Sequence, residues 1–161
     1  MYSFDMLMPV ALRDRGETME RQQWLGLMAK ANPEQIDACW QDLGLSPEYA
    51  ELRPPEIGGV MVRGRMGGTG DAFNLGEMTV TRCSVQLRCG TVGHGYVQGR
   101  AKQAARHVAL CDALLQTEQA PVVAAKVLDV LAADREKGVN DLAGKAAATK
   151  VEFFTLARGD N

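Results

Sequence analysis

The strongest constraint in this sequence is one long alternating run, EMTVTRCSVQLRC at residues 77–89, followed after two turn residues by VGHGYV at 92–97. Alternation with period two marks a strand that buries one face. Cys89-Gly90-Thr91 supplies a turn, so the two runs predict an antiparallel hairpin. The alternation changes phase on the way: Met78 and Val80 share one face, whereas Cys83, Val85, Leu87 and Cys89 share the other, leaving Arg82, Ser84, Gln86 and Arg88 opposite. Because a one-residue slip exchanges the faces of a strand, a bulge or sharp twist is expected near Thr81 and Arg82. In the next strand Gly93, Gly95 and Val97 share a face. Two glycines there leave a trough without side chains, filled either by another backbone or by a ligand.

Helical spacing flanks this middle region. Trp24, Leu25, Met28 and Ala31 fall on one face of a first helix. Asn32 offers an N-cap and Pro33 a first helical position for a second, in which Ile36, Cys39, Trp40 and Leu43 repeat before Gly44. Residues 45–59, with Pro47, Pro54, Pro55 and Gly58-Gly59, read as a connector. A first strand is expected over 59–66. After the hairpin, helical periodicity returns over 101–116 (Ala104, Val108, Cys111, Leu115) and over 121–136 (Val123, Val127, Val130, Leu131). Gly138 is expected to interrupt, a weak alanine-rich helix to occupy 141–149, and VEFFTLA at 151–157 to form a last strand. The fold class is therefore α+β: a single domain with an antiparallel sheet of three or four strands flanked by N-terminal and C-terminal helices.

Composition narrows the function classes. No run of about 18 apolar residues is present, so a membrane-spanning helix is not expected. The opening MYSFDMLMPVAL lacks a basic lead and a cleavage site, and Cys39, Cys83, Cys89 and Cys111 form no C-x-x-C pair. Both point to a cytoplasmic protein with reduced thiols. Charge is uneven: residues 60–106 hold seven cations and two acids, a balance of +5 in a chain of net −2. Such a middle on an acidic frame suits an anion, or is simply an arginine-rich solvent face. Only Phe73 and Tyr96 interleave with its cations, which disfavours a nucleic-acid reader.

Two stretches are candidates for phosphate binding. RMGGTG at 65–70 is neither a Walker A loop nor a Rossmann turn, because no Gly-Lys-Ser/Thr follows and a strand, not a helix, comes next. Its backbone N–H groups at Gly67, Gly68 and Thr69 offer an anion nest beside Arg65. The second is the strand-to-helix junction HGYVQGR, where Gln98 and Arg100 surround a helix N-terminus; were the first strand to pair beside the third, the two candidates would meet. Arg82, at the phase change, completes the set. Metal binding is not expected: Cys83 and Cys89, six residues apart on one strand, stand roughly 20 Å from each other. No Ser/His/Asp or Cys/His arrangement follows from spacing.

RMGGTGDAFNLGEMTVTRCSVQL, GTVGHGYVQGRAKQAARHVALCDALL and KVEFFTLARGDN, in this order, closely resemble the PhnG subunits of bacterial carbon–phosphorus lyase. The likeness runs from ERQQWLGLMAKA, about residue 20, to residue 161, and leaves 1–19 outside as an N-terminal extension. The resemblance implies a subunit that acts with PhnH, PhnI and PhnL when an alkylphosphonate displaces adenine from MgATP to give ribose 1-phosphonate 5-triphosphate. It implies a core containing PhnH, PhnI and PhnJ, with PhnK attached, and an accessory or structural role beside PhnI. MgATP is then a substrate of the complex, and no cofactor is expected on this chain alone. In an assembly role, Gly93, Gly95, Phe153 and Phe154 are the docking candidates, and an isolated subunit is expected to self-associate. The alternative is an independent nucleotide-binding or nucleoside-cleaving enzyme.

Overall fold

A computed structural model describes residues 19–149. Two short helices come first, α1 (Arg21–Lys30) and α2 (Pro33–Leu43). As expected, the Asn32 side chain accepts from the Glu34 N–H at 3.1 Å, and Gly44 ends α2 with φ 67°. Three strands follow, β1 (Tyr49–Arg65), β2 (Ala72–Leu87) and β3 (Val92–Gln98), in the antiparallel order β1-β2-β3. Helix α3 (Lys102–Leu114) crosses one face of the sheet. Next come α4 (Ala120–Val123), a π-helical turn (Ala124–Leu128) and α5 (Asp129–Ala148). The expected strand at 151–157 lies outside the described residues.

The core lies between the sheet and the helices. Thr81, Cys83, Val85 and Leu87 of β2 point into it, with Val97 of β3, Val108 and Cys111 of α3, Met28 of α1 and Ile36 of α2. The glycine trough on β3 is occupied by the chain's own α3. A Cβ on Gly93 would collide with the Ala109 carbonyl, and one on Gly95 with the Ala105 carbonyl. Small residues at 105, 109 and 113 let the helix approach to backbone contact. The trough is therefore interior, and Gly93 and Gly95 are not available to dock a partner.

Four sequence expectations need correction. Residues 45–59 are not a connector: β1 starts at Tyr49 and runs through Pro54-Pro55. An edge strand accepts prolines because one side of its ladder carries no bonds. An irregularity does fall beside Arg82, but the extra residues there are on the partner strand: β1 has insertions between Glu51 and Arg53 and between Arg53 and Glu56, the latter opposite Arg82 and Ser84, and β2 has its own only in the arm, at Leu75. The phase change instead marks where β2 leaves the core. Beyond Val80 no third strand accompanies the hairpin; in the arm Val60 and Met78 lie on the face away from the core, whereas Ile57, opposite Thr81, and Met61 lie on the core side. Finally, Gly138 does not interrupt α5. Leu128, not Val130, joins Val123, Val127 and Leu131 inside, because the extra residue per turn of a π-helix shifts the buried stripe.

Among the described residues two elements project without cover: the arm beyond Val80, and α5, whose residues from 133 onward are exposed on every side. Among the described residues no helix is long and apolar enough to cross a membrane.

Gly95→Ala is expected to destabilise the fold by about 3 kcal/mol through forced separation of α3 from β3, read as a lower urea midpoint. Gly138→Ala is expected to be neutral or stabilising in the same assay.

Candidate functional site

The sheet's geometry separates the phosphate-binding candidates. Arg65 pairs with Ala72 at the tip of the arm, whereas Gly99 is tied to Thr79 at 2.9 Å. Seven residues of strand, roughly 20 Å, lie between the tip and the junction that carries Arg100. The two would have met only if β1 lay beside β3, and β2 stands between them.

The RMGGTG loop closes on itself. Gly67 and Gly68 take φ of 58° and 85°, and the N–H groups of Thr69 and Gly70 both donate to the Met66 carbonyl. Arg65 Nη1 folds back on the Gly70 carbonyl at 3.2 Å. Donors that would line an anion nest at Thr69 and Gly70 are thus spent on the turn.

Arg82 is also engaged. Its Nε donates to Glu56 Oε1 at 2.7 Å, and hydrogen bonding to Tyr96, then to Glu56, holds the guanidinium above the ordinary arginine value. Arg106 is locked likewise to Glu51 at 2.7 Å, which ties α3 to β1. Arg100 differs: it forms no ion pair among the described residues and lines a shallow cleft of about 280 Å³ with Ile57, Gly58, Gly59, Glu77 and Thr79. The cleft sits where the start of α3, uncapped by any side chain, overhangs the root of the arm. Gln98 is exposed at the end of β3, opposite Val80. Phe153 and Phe154 lie outside the described residues.

Three polar groupings escaped the sequence. Asp112, fully buried on α3, accepts from Arg21 Nη2 at 2.6 Å, Arg21 Nε at 3.1 Å, Trp24 Nε1 at 2.8 Å and the His94 N–H at 2.8 Å. The one signal was an aspartate inside the apolar run VALCDALL. His107 stacks on Trp40 with ring centroids 5.1 Å apart and bonds Asp37 through Nδ1 at 2.7 Å and Gln103 through Nε2 at 3.0 Å. Burial pushes its pKa below the ordinary 6.5, against the opposing pull of Asp37. On the open face, Ser84 Oγ meets His94 Nδ1 at 2.9 Å, a pair made by strand register. No carboxylate among the described residues bonds the other nitrogen of His94, so the pair lacks the group that would orient it as a general base.

Cys39, Cys83 and Cys111 are buried and Cys89 is exposed, all as free thiols. Burial pushes Cys111 up to about 12, which makes it inert as a nucleophile. No three His, Cys, Asp or Glu among the described residues stand close enough to hold one metal ion.

The fold defines a small α+β protein with a one-sided sheet and two uncovered projections, an architecture suited to contact with other chains. A family model described as "Phosphonate metabolism protein PhnG" matches residues 19–159. A protein of Rhizobium meliloti (strain 1021), "Alpha-D-ribose 1-methylphosphonate 5-triphosphate synthase subunit PhnG", is 39% identical over 148 residues, covering 92% of this chain and 95% of that one. The chain belongs to the PhnG family.

The pH dependence of His107 has a defined sign. Its folded imidazole binds a proton less readily than the unfolded one, so its contribution to stability is complete above about pH 6.5 and is lost as pH falls towards the folded value. Urea unfolding at pH 7.5 and 5.5 is expected to show a smaller acid-side loss for His107→Gln than for wild type.

Proposed function

We propose that this chain is a structural subunit of the complex that makes α-D-ribose 1-methylphosphonate 5-triphosphate, where it supports the displacement of adenine from MgATP by an alkylphosphonate. In this reading it is an accessory partner of PhnI, within an assembly that includes PhnH and PhnJ and to which PhnK and PhnL attach. The complex as a whole is the ribosyl-transferring enzyme. MgATP is its substrate, not a cofactor held by this chain.

The observation that carries the reading is the uncovered arm. Ile57, Met61, Met66, Phe73 and Leu75 are exposed on a two-stranded ribbon, a structure of marginal stability in water on its own. Val139 and Leu142 are exposed on the projecting part of α5. Apolar side chains on two projections are what a subunit presents to its neighbours. The ion pair of Arg82 with Glu56 agrees with this, since it occupies that guanidinium within the chain. A cytoplasmic setting fits the four free thiols.

A second reading is favoured by Arg100 alone, which lines the cleft at the arm's root without an ion-pair partner among the described residues. There it would contact an anionic substrate once a neighbouring subunit closes the site.

Adenine release from MgATP plus methylphosphonate by PhnI, PhnH and PhnL separates the two. Omission of this chain is expected to abolish turnover. Arg65→Ala, Arg82→Ala and Arg100→Ala, each in a complex confirmed to assemble, are expected to stay within about twofold of wild type. A loss of tenfold or more confined to Arg100→Ala moves the chain into the active site.

A further inference from the structure

We infer that the outer edge of β1 in the arm pairs with the same edge of a second copy of this chain, antiparallel and in one register that places Met61 opposite Met61. The inference stands apart from the proposed function and draws on three features of the arm.

The first is an open, regular edge. β1 is the outermost strand, and its proximal half is protected by Pro54-Pro55 and the irregularities there. From Ile57 to Arg65 it has neither a proline nor an inserted residue. The one register shift in the arm, between Val62 and Arg63, inserts Leu75 on β2. A row of unpaired N–H and C=O groups asks for an extended strand, and β1 is the edge of the arm that offers it without a bulge.

The second is charge. Glu77 sits opposite Met61 by register, yet its carboxylate lies across Gly59, where a Cβ would collide with it. Neither Glu77 nor Arg63 has an ion-pair or hydrogen-bond partner among the described residues. In the Met61-centred register, positions 59 and 63 face each other. Arg63 of each copy then lies against Gly59 of the other, beside the Glu77 carboxylate that Gly59 leaves room for. Two symmetric Arg63–Glu77 pairs form, at the rim of the cleft that Arg100 also lines.

The third is apolar complementarity. Met61, 60% exposed, packs on its own counterpart, and Ile57 falls opposite the aliphatic stem of Arg65. Two-fold pairing of this kind closes on itself, giving a dimer and no open fibre. It also widens each two-stranded arm into half of a four-stranded ribbon.

The test is register-specific cross-linking of the full chain in a Cys89→Ser background, which removes the exposed native thiol. Under mild oxidation Met61→Cys is expected to yield a disulfide-linked dimer. Ile57→Cys alone is not, since the two copies of residue 57 stand about eight residues apart along the strands, whereas a mixture of Ile57→Cys and Arg65→Cys is. In sedimentation, Arg63→Glu is expected to weaken the dimer roughly tenfold, by turning attraction into repulsion at two sites. Arg63→Glu combined with Glu77→Arg is expected to restore it. These side chains are exposed, and unchanged circular dichroism confirms that each variant folds. A monomer at all concentrations tested, cross-linking of Ile57→Cys as readily as Met61→Cys, or no rescue by the charge swap overturns the inference. A monomeric outcome leaves the edge to a strand of a different subunit.

Discussion

Asp112 is the point on which the body of the molecule turns. A carboxylate with no exposure costs several kcal/mol to desolvate, and only a full set of donors offsets that. Here the donors arrive from separate elements: the guanidinium of Arg21 and the indole N–H of Trp24 from α1, and the main-chain N–H of His94 from β3. Gln116 adds a clasp by donating to the carbonyls of Val92 and Asp112. Beside the apolar packing of Leu27 and Met28, this cluster gives α1 a defined position. His107 does the same for α2, held between Asp37 and Trp40. Two polar residues on the buried face of α3 thus dictate where both N-terminal helices dock.

Much of this was legible beforehand. The capping of α2, the β2–β3 hairpin and α3 follow from local chemistry that a few neighbouring residues carry. The glycine trough was also visible, though not its occupant: whether a backbone or a ligand fills a gap depends on which element returns to it, and that is tertiary information. β1 was misread because Pro54-Pro55 argue against a strand until the strand is known to be an edge. Val130 was misplaced because a π-turn leaves no mark in hydrophobic spacing. The candidate site fared worse. Arg65, Arg82 and Arg100 are joined in sequence only by charge, and an antiparallel sheet distributes them along its length. Asp112, His107 and the Ser84–His94 pair depend on contacts between residues 10 to 91 positions apart, which spacing cannot reveal.

The basic middle of the chain also takes on a different meaning once folded. Four of its arginines face inward in a chemical sense: Arg65 onto its own loop, Arg82 to Glu56, Arg88 to Glu48 and Arg106 to Glu51. Three of the partner acids lie on or just before β1, outside the segment that gave the +5 balance. Three of the five surplus charges are therefore matched by acids on or just before the strand beside them, and the surplus in space is smaller than the one along the sequence. What remains distinctive is apolar: an arm that carries hydrophobic residues on both of its faces.

The order of the sheet has one more consequence. Because β1, β2 and β3 are neighbours in space as they are in sequence, and α3 folds back on β3 directly after it, most of the body forms from contacts between consecutive segments. Val123, Val127, Leu128 and, from α5, Leu131 belong to the same core, so the body is complete only when the C-terminal helices have packed onto the sheet and α3.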